Sequence, residues 1–299
     1  MIDAKLLKSV AKGLLTFVPG VTRILDKKKG KSAHSGSHAD FCYNLWLSIL
    51  RKCEESGVKP DISKTGEIGT GGSLGGGICA LLAGADKYYA LEMDQRFNKE
   101  QNLKMLEELV LLFRGEEPIS QKYPQLNIKT AIFDFPHNLV KPNYLDDQFI
   151  QQIREDIESE FKSNNRILIV NKWDQVNSLC LDFIFSRAVL EHVVDPGAAY
   201  LACYKHLKAS GYMIHDVEFH SHGITSKPDG HMKIHSFLWK IIYGRRNYFL
   251  NRWTLSEHIN QIQSLAFHIV MNEGNYSSYL QPENRVLVGA VILAEKGFE

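Results

Sequence analysis

The chain of 299 residues is long enough for one large domain with insertions or for two modest domains. With 44% hydrophobic residues, 23% charged residues and a formal net charge of +1, it has the composition of an ordinary globular protein, and the charge argues against nucleic acid as a partner. Five scattered cysteines, no leader-type segment and no apolar run long enough to span a bilayer predict a cytoplasmic protein with reduced thiols.

The first predicted element is a basic amphipathic helix over residues 3–18. Eight Lys or Arg residues fall within residues 1–31, against two Asp. The apolar side chains gather on one side of the helical wheel: Leu6, Leu7, Val10, Leu14, Phe17 and Val18. We expect this face to pack on the body of the protein or on the second subunit of a homodimer. The alternative is peripheral contact with the inner face of the membrane.

The following elements predict the fold class. A second helix over residues 39–55 completes an N-terminal helical cap of residues 1–60, and strands and helices alternate from residue 61 to 299. The predicted strands cover 66–68, 88–91, 167–170, 183–185, 212–217 and 285–294, with a further strand beginning near 268. The predicted helices cover 74–83, 100–114, 147–161, 197–207 and 255–265. This alternation predicts an α/β fold with a mostly parallel sheet, interrupted by insertions at about 115–163 and 219–253.

A glycine-rich turn follows the first predicted strand. Residues 64–77 read KTGEIGTGGSLGGG and hold seven glycines. A Walker loop would end in GK[ST], and this turn has no such ending. A dinucleotide fingerprint GxGxxG that starts at Gly69 needs glycine at position 74, where Leu74 stands. The Walker interpretation therefore fails, and the dinucleotide fingerprint fits only if its frame is shifted.

Acidic residues at two strand ends indicate a different ligand. Glu67 ends the first strand and can face a cationic amino group. Glu92 ends the second strand, where a carboxylate can accept both hydroxyls of a ribose. Glycine between them allows the backbone to turn sharply and approach a ligand closely. The pattern favours an adenosine ligand that carries an amino-acid tail.

A second stretch extends this pattern into a resemblance. Residues 181–219 read LDFIFSRAVLEHVVDPGAAYLACYKHLKASGYMIHDVEF: a strand that opens into S-x-x-V-L-E-H, a helix, and an L-K-x-x-G turn before the next strand. Together with the glycine turn, it resembles class I S-adenosylmethionine-dependent methyltransferases over about 70 residues. Ser73 departs from the glycine or alanine frequent at that place in the family. The resemblance implies a Rossmann-like seven-stranded sheet whose last strand is antiparallel.

The resemblance also implies the residues that bind S-adenosylmethionine. Matched position by position, the cofactor-binding residues are Glu67, Gly69, Thr70, Gly71, Ser73, Glu92, Met93, Trp173, Asp174, Ser186 and Arg187. Asp174 would meet the adenine amino group, and Trp173 would stack on the adenine ring.

The residues after the fourth and fifth predicted strands indicate the chemistry. Methyl transfer to a hydroxyl needs a general base, and His is suited to that role. His192 follows the fourth strand and Asp216 lies at the end of the fifth, where parallel strands present their carboxyl ends to one crevice. We predict that His192 is the base and that Asp216 orients it. Small-molecule and sugar O-methyltransferases resemble this arrangement.

The second insertion supplies candidate acceptor-binding residues. They are His215, His222, His231, Arg245, Arg246 and Arg252. The arginines, interleaved with aromatic residues, favour an anionic group on the acceptor. The sequence shows no carboxylate cluster beside the histidines, so we predict no metal.

The most specific prediction is O-methylation of a polar small molecule or glycan precursor. FCYNLWLSIL before the glycine turn and the SHG…DGH segment resemble a bacterial methyltransferase group of polysaccharide biosynthesis. Two alternatives remain at this point. One is an N-methyltransferase or a protein methyltransferase, and the other is an inactive S-adenosylmethionine-binding regulator or scaffold.

Overall fold

The computed structural model describes residues 3–22, 38–92, 97–115, 145–173, 176–246, 249–276 and 286–297. The helices are α1 Ala4–Leu15, α2 Ala39–Glu55, α3 Gly75–Leu82, α4 Lys99–Arg114, α5 Asp147–Glu158, α6 Pro196–His206, α7 Ser236–Tyr243 and α8 Leu255–Ser264. The strands are β1 Lys64–Ile68, β2 Lys87–Leu91, β3 Ile167–Val170, β4 Leu181–Arg187, β5 Leu207–Glu218, β6 Phe267–Tyr276 and β7 Leu287–Lys296. Most of the first predicted insertion, residues 116–144, lies outside the described residues.

The strands of the described residues form one seven-stranded sheet, in the order β3-β2-β1-β4-β5-β7-β6, with helices on both faces. β1 pairs in parallel with β2 and β4, and β2 pairs in parallel with β3. The predicted fold class, α/β with a mostly parallel seven-stranded sheet, is confirmed. The register sets Ile68 opposite Leu91, so the turns that follow β1 and β2 lie side by side.

Local sequence signals explain where several helices begin and end. The Asn98 side chain accepts a hydrogen bond from the Gln101 N–H and starts α4. Gly115 ends the same helix in the left-handed conformation, with φ 71°. At the start of α8, Thr254 and Glu257 form a reciprocal capping box. These boundaries follow from residues within one turn of each helix end.

Two compact units make up the chain. The larger unit comprises Ala33–Ser186, Ala202–Ile214 and Leu293–Glu299. The smaller unit comprises Met1–Ser32, Arg187–Leu201 and His215–Ile292.

In the larger unit, α2 belongs to the core beside the sheet. Trp46 on α2 is 0% exposed. Its ring meets Phe183 and Phe185 of β4 edge-on, with centroid separations of 6.2 and 5.3 Å. Edge-to-face contacts of this kind add to the burial of a large apolar area. The helix expected to form part of a cap therefore packs directly on the strands.

In the smaller unit, α1 packs on α7. Leu6 and Val10 lie against a buried apolar cluster that includes Trp239 and Ile242. Gly13 faces the α7 backbone so closely that a Cβ on it would lie 2.8 Å from the Ile242 Cα. The expected docking of the N-terminal helix on the body of the protein is present in this contact.

Polar contacts hold both ends of α1. The Asp3 side chain caps the helix and also accepts hydrogen bonds from the Ser226 N–H at 2.7 Å and the Ser226 hydroxyl at 2.9 Å. At the other end, the Thr16 hydroxyl accepts from the Arg245 N–H at 2.9 Å. Contact of α1 with a second subunit stays a prediction.

A substitution at Gly13 tests this docking. Gly13→Val is expected to lower the free energy of unfolding by about 1–3 kcal/mol, because the new side chain overpacks against α7. Valine has a higher helix propensity than glycine, so a loss of stability would come from the clash and not from the helix itself. Ala11→Val, at an exposed position of the same helix, is the control. Equal denaturation curves for both variants would contradict the docking.

Several apolar side chains of α1 and the following turn stay exposed. Leu7, Leu14 and Val18 are each at least half exposed, at 58, 53 and 50%. Within the part of the chain that the structure describes, every helix is too short or too polar to cross a bilayer. Peripheral contact of this exposed stripe with a membrane stays a prediction.

Candidate active site

The glycine turn and Glu92 meet at the ends of β1 and β2. Gly69 and Gly71 have φ values of 71° and 66°, a conformation that side chains with a Cβ rarely adopt. The Glu92 carboxylate accepts a hydrogen bond from the Gly71 N–H at 3.0 Å and from the Thr70 hydroxyl at 3.3 Å. The glycine turn after β1 and the carboxylate after β2 are therefore joined by direct hydrogen bonds.

The second predicted acid, Glu67, faces into the protein. The Tyr88 hydroxyl donates to Glu67 Oε2 at 2.6 Å, and the Gly77 N–H donates to the same carboxylate. Burial raises the pKa of Glu67 to about 7, assisted by the charge of Glu92 and opposed by the Tyr88 hydrogen bond. These contacts indicate that Glu67 stabilises the turn. Its contact with the amino group of a ligand stays a prediction.

Packing explains the second run of glycines better than ligand binding does. A Cβ on Gly76 would lie 2.9 Å from a Glu67 carboxylate oxygen. A Cβ on Gly77 would overlap the Tyr88 ring, and one on Gly75 would overlap the Cys42 sulfur. The first turn of α3 therefore has no room for side chains on three successive residues.

Two residues that the sequence analysis did not select hold the turn in place. Tyr88 is one, through its bond to Glu67. The other is Asn102, a fully buried residue of α4 whose side-chain oxygen accepts from the Leu74 N–H at 2.9 Å. The sequence contained a signal for Asn102: it shares the apolar face of α4 with Met105, Leu106 and Leu109, where a polar residue needs a partner. Next to Leu74, the Ser73 hydroxyl oxygen accepts a hydrogen bond from the Gly75 N–H at 3.2 Å.

Among the other predicted cofactor-binding residues, Trp173 and Ser186 are buried, whereas Met93 and Asp174 lie outside the described residues. Trp173 is buried, and its carbonyl oxygen lies 2.6 Å from His206 Nε2. Burial lowers the pKa of His206. Ser186 is buried at the end of β4.

Asp216 pairs with Arg187 in the smaller unit. Its Oδ2 lies 3.3 Å from Arg187 Nε, and its carbonyl oxygen accepts from the Ala188 N–H at 2.9 Å. Arg187, expected near the cofactor, thus has a carboxylate partner in its own unit. The predicted orientation of His192 by Asp216 stays a prediction.

His192 lies beside a different carboxylate. The short helix Leu190–His192 carries it, and its side chain is 14% exposed. Its Nε2 is 3.9 Å from Glu191 Oε1, and its ring meets the His222 ring edge-on with centroids 5.1 Å apart. His192 thus keeps a small exposed surface and lies next to a second titratable ring.

His215, one of the three predicted acceptor-binding histidines, lies in the core. It is fully buried against Tyr200, and burial with the neighbouring His258 lowers its pKa to about 3. A ring in that position has no surface to present to an acceptor, so we assign His215 to packing. The sequence could not separate it from the other histidines because β5 alternates inward and outward faces only approximately.

His231 is also buried, but it faces other histidines. Burial lowers its pKa to about 4, and the positive charges of His222, His220 and Arg252 lower it further. His222, by contrast, is exposed at the surface. His222 therefore remains a candidate for acceptor contact, whereas His231, at 2% exposed, has almost no surface to present to an acceptor.

The three predicted arginines have partners within the smaller unit. Arg246 donates to the Ile242 carbonyl at 2.5 Å, and Arg252 donates to the Ile234 carbonyl at 2.6 Å. The Arg246, Arg252 and Arg245 guanidinium groups lie over the rings of Phe249, Trp239 and Phe17. These contacts fit a role in fixing the insertion around α7, and they weaken the argument for an anionic acceptor.

The sequence indicated no carboxylate cluster beside these histidines, but the fold brings one carboxylate to two of them. Glu218 Oε2 lies 3.3 Å from His220 Nδ1 and 3.3 Å from His222 Nε2. Burial alone would raise the pKa of Glu218, but the hydrogen bond from His222 and the charges of His220 and Arg187 outweigh it and lower the pKa. The sequence showed Glu218 two residues before His220, but not that its side chain turns toward the rings.

Comparisons with known proteins add a likeness of fold. No protein-family model matches the chain, and no curated protein matches it. Among solved structures, it is similar to an S-adenosylmethionine-dependent methyltransferase from Mesorhizobium loti, with 13% identity, a TM-score of 0.44, and coverage of 83% of this chain and 98% of that one. A second, from Clostridium acetobutylicum, has 12% identity and a TM-score of 0.42, and covers 92% of this chain and 97% of that one. A third, from Methanosarcina mazei, has 16% identity and a TM-score of 0.42, and covers 79% and 93%. A shared activity does not follow from identities and TM-scores this low.

Proposed function

We propose that this protein is an S-adenosylmethionine-dependent methyltransferase. The observation that carries the proposal is the turn after β1, where Gly69 and Gly71 have positive φ and Glu92 closes the turn from the end of β2. A carboxylate at this place can accept both hydroxyls of an adenosine ribose, while the glycine backbone approaches the methionine part. The cofactor would supply an electrophilic methyl group on its sulfonium.

The surroundings of Glu67 favour this cofactor over a dinucleotide. A pyrophosphate bound in a Rossmann-like fold uses the N–H groups at the first turn of the helix after β1. In this protein the Gly77 N–H, in the first turn of α3, already donates a hydrogen bond to the Glu67 carboxylate. That carboxylate lies against Gly76. Leu74 also occupies the third glycine position of the fingerprint. Both features disfavour a ligand with a diphosphate group and are compatible with S-adenosylmethionine, which has none.

We propose a hydroxyl on a polar small molecule or glycan precursor as the acceptor, with His192 as the general base. A hydroxyl is a poor nucleophile at neutral pH and gains most from a base. Support comes from the partly exposed His192 ring, with Glu191 and His222 as polar neighbours. The positions of Arg246 and Arg252 remove the earlier reason to require an anionic acceptor.

Ligand binding tests the cofactor directly. Isothermal titration of the full chain with S-adenosylmethionine, S-adenosylhomocysteine and NAD is expected to show binding of the first two. Binding of NAD alone would overturn the proposal. Methyltransferase activity is then tested by acceptor-dependent formation of S-adenosylhomocysteine. The acceptors screened are nucleotide sugars, saccharides and small carboxylates. Cofactor binding without turnover on any acceptor would favour a regulator or scaffold.

Removal of the Glu92 carboxylate is expected to weaken the adenosyl ligands. Glu92→Ala should raise the Kd for S-adenosylhomocysteine by an amount equivalent to about 1–3 kcal/mol, because the ribose hydroxyls lose their acceptor. Isothermal titration measures this change, and thermal unfolding checks that the turn survives. Glu158→Ala, an exposed carboxylate of the same unit, is the control. Equal affinities for both variants would show that the ribose binds elsewhere.

A further inference from the structure

A group of imidazole and carboxylate side chains surrounds the end of β5 in the smaller unit. The His220 and His222 rings stack with their centroids 4.0 Å apart and their planes 14° apart. Each ring directs one nitrogen to Glu218 Oε2, at 3.3 Å in both cases. Three potential ligand atoms, two nitrogens and one oxygen, therefore lie within 4.8 Å of one another.

Glu191 brings a second carboxylate to the His222 ring. Its ligand atom forms a group within 4.8 Å with those of His192 and His222. Glu191 is 2% exposed, and among the described residues no side chain donates a hydrogen bond to its carboxylate. A buried carboxylate with few hydrogen bonds is costly, and the neighbouring charge of Glu218 adds repulsion. A cation bound beside these carboxylates would lower both penalties.

We propose that Glu218, His220 and His222 bind one divalent transition-metal ion, with Glu191 as a second carboxylate beside the His222 ring. An ion about 2.0–2.2 Å from each donor in tetrahedral geometry holds neighbouring donors about 3.3–3.5 Å apart. The two 3.3 Å separations at Glu218 agree with that spacing. Mixed imidazole and carboxylate ligands suit Zn²⁺ and similar ions, whereas Mg²⁺ prefers oxygen ligands alone.

The buried face of the cluster is consistent with this assignment. His231 is buried near the His220 and His222 rings, and its Nδ1 has no hydrogen-bond partner among the described residues. On the other face, His222 is exposed, so an ion can enter from solvent. His192, beside Glu191, would then lie next to a Lewis acid that can bind an acceptor oxygen. Metal binding itself does not depend on the proposed methyl transfer.

Direct binding of the metal alone tests the proposal. The full chain is stripped with a chelator and titrated with Zn²⁺, Mn²⁺ and Mg²⁺ by calorimetry. We expect saturable binding of Zn²⁺ with one ion per chain, and much weaker binding of Mg²⁺. His222→Ala should lower the Zn²⁺ affinity at least about 10-fold, since substitutions even in the surroundings of a metal site cost 10–100-fold. Because His222 is exposed, this variant is expected to fold normally.

His268→Ala, which removes an exposed histidine of β6 outside the cluster, is the control and should bind Zn²⁺ as the unmodified chain does. An unmodified chain that binds no Zn²⁺, or a His222→Ala variant that binds like the control, would overturn the proposal.

Glu191→Gln provides an independent readout. With saturating Zn²⁺, this variant should show a smaller rise in Tm than the unmodified chain, because the carboxylate beside the bound ion is lost. The same Zn²⁺-dependent rise in both proteins would overturn the role of Glu191. An unmodified chain that binds Zn²⁺ but transfers no methyl group to any acceptor would contradict the proposed function alone.

Discussion

Replacement of His192 by alanine is expected to lower kcat by about 10²–10⁴, as is typical when a general base is lost. The affinity for S-adenosylmethionine should change little, because Gly71 and Glu92, which carry the proposed binding, belong to a different compact unit from His192. The measurement is acceptor-dependent formation of S-adenosylhomocysteine, together with a calorimetric Kd for the cofactor. Equal decreases in kcat and kcat/KM would indicate a group that acts only in the transition state.

His192→Asn sharpens this experiment. Asparagine keeps a hydrogen-bonding side chain of similar size but cannot accept a proton at neutral pH, so it should be as inactive as alanine if His192 is the base. His268→Ala serves as the control, as a histidine on the exposed face of β6. Loss of cofactor binding in both His192 variants would make this residue structural. An unchanged kcat would move the base elsewhere, and His222 and His231 would be tested next.

Trp46→Ala is expected to lower the free energy of unfolding by about 3–5 kcal/mol. Trp46 is completely buried, and its ring contacts Phe183 and Phe185 in the centre of the sheet. Alanine would leave a cavity that the flanking strand cannot fill, so the lost contacts add to the lost burial. Chemical denaturation followed by far-UV circular dichroism measures the change.

The same variant tests the predicted boundary at residue 60. If residues 1–60 were a separate cap, removal of Trp46 would shift the transition of that segment and leave the sheet transition in place. If α2 belongs to the core, one cooperative transition should move as a whole. Glu55→Ala, at the exposed end of the same helix, should change stability by less than about 0.5 kcal/mol. Two separate transitions in the Trp46 variant would support the cap.

The elements whose apolar pattern is strong could be predicted from the sequence. Ala39–Glu55 and Ile167–Val170 have the predicted bounds, because their apolar residues show a helical period in the first and a short continuous run in the second. β5, in contrast, begins at Leu207 rather than at residue 212. Its first residues look like a polar turn, but Lys208 pairs there with Asp182 and Asp61, which are distant in sequence. α7 was not predicted, since its eight residues lie in an insertion without a clear helical period.

The glycine turn and the group of histidines and carboxylates at the end of β5 differ in how far the sequence predicts them. The sequence by itself determined the turn, because positive φ at Gly69 and Gly71 and a carboxylate at the end of the next strand are local requirements. Only the tertiary structure decided which histidines are buried and which carboxylates they meet. His215 is buried in the core, whereas the Glu218 carboxylate lies beside His220 and His222. Side-chain partners of this kind depend on packing between segments far apart in the chain, and no local pattern of residues specifies them.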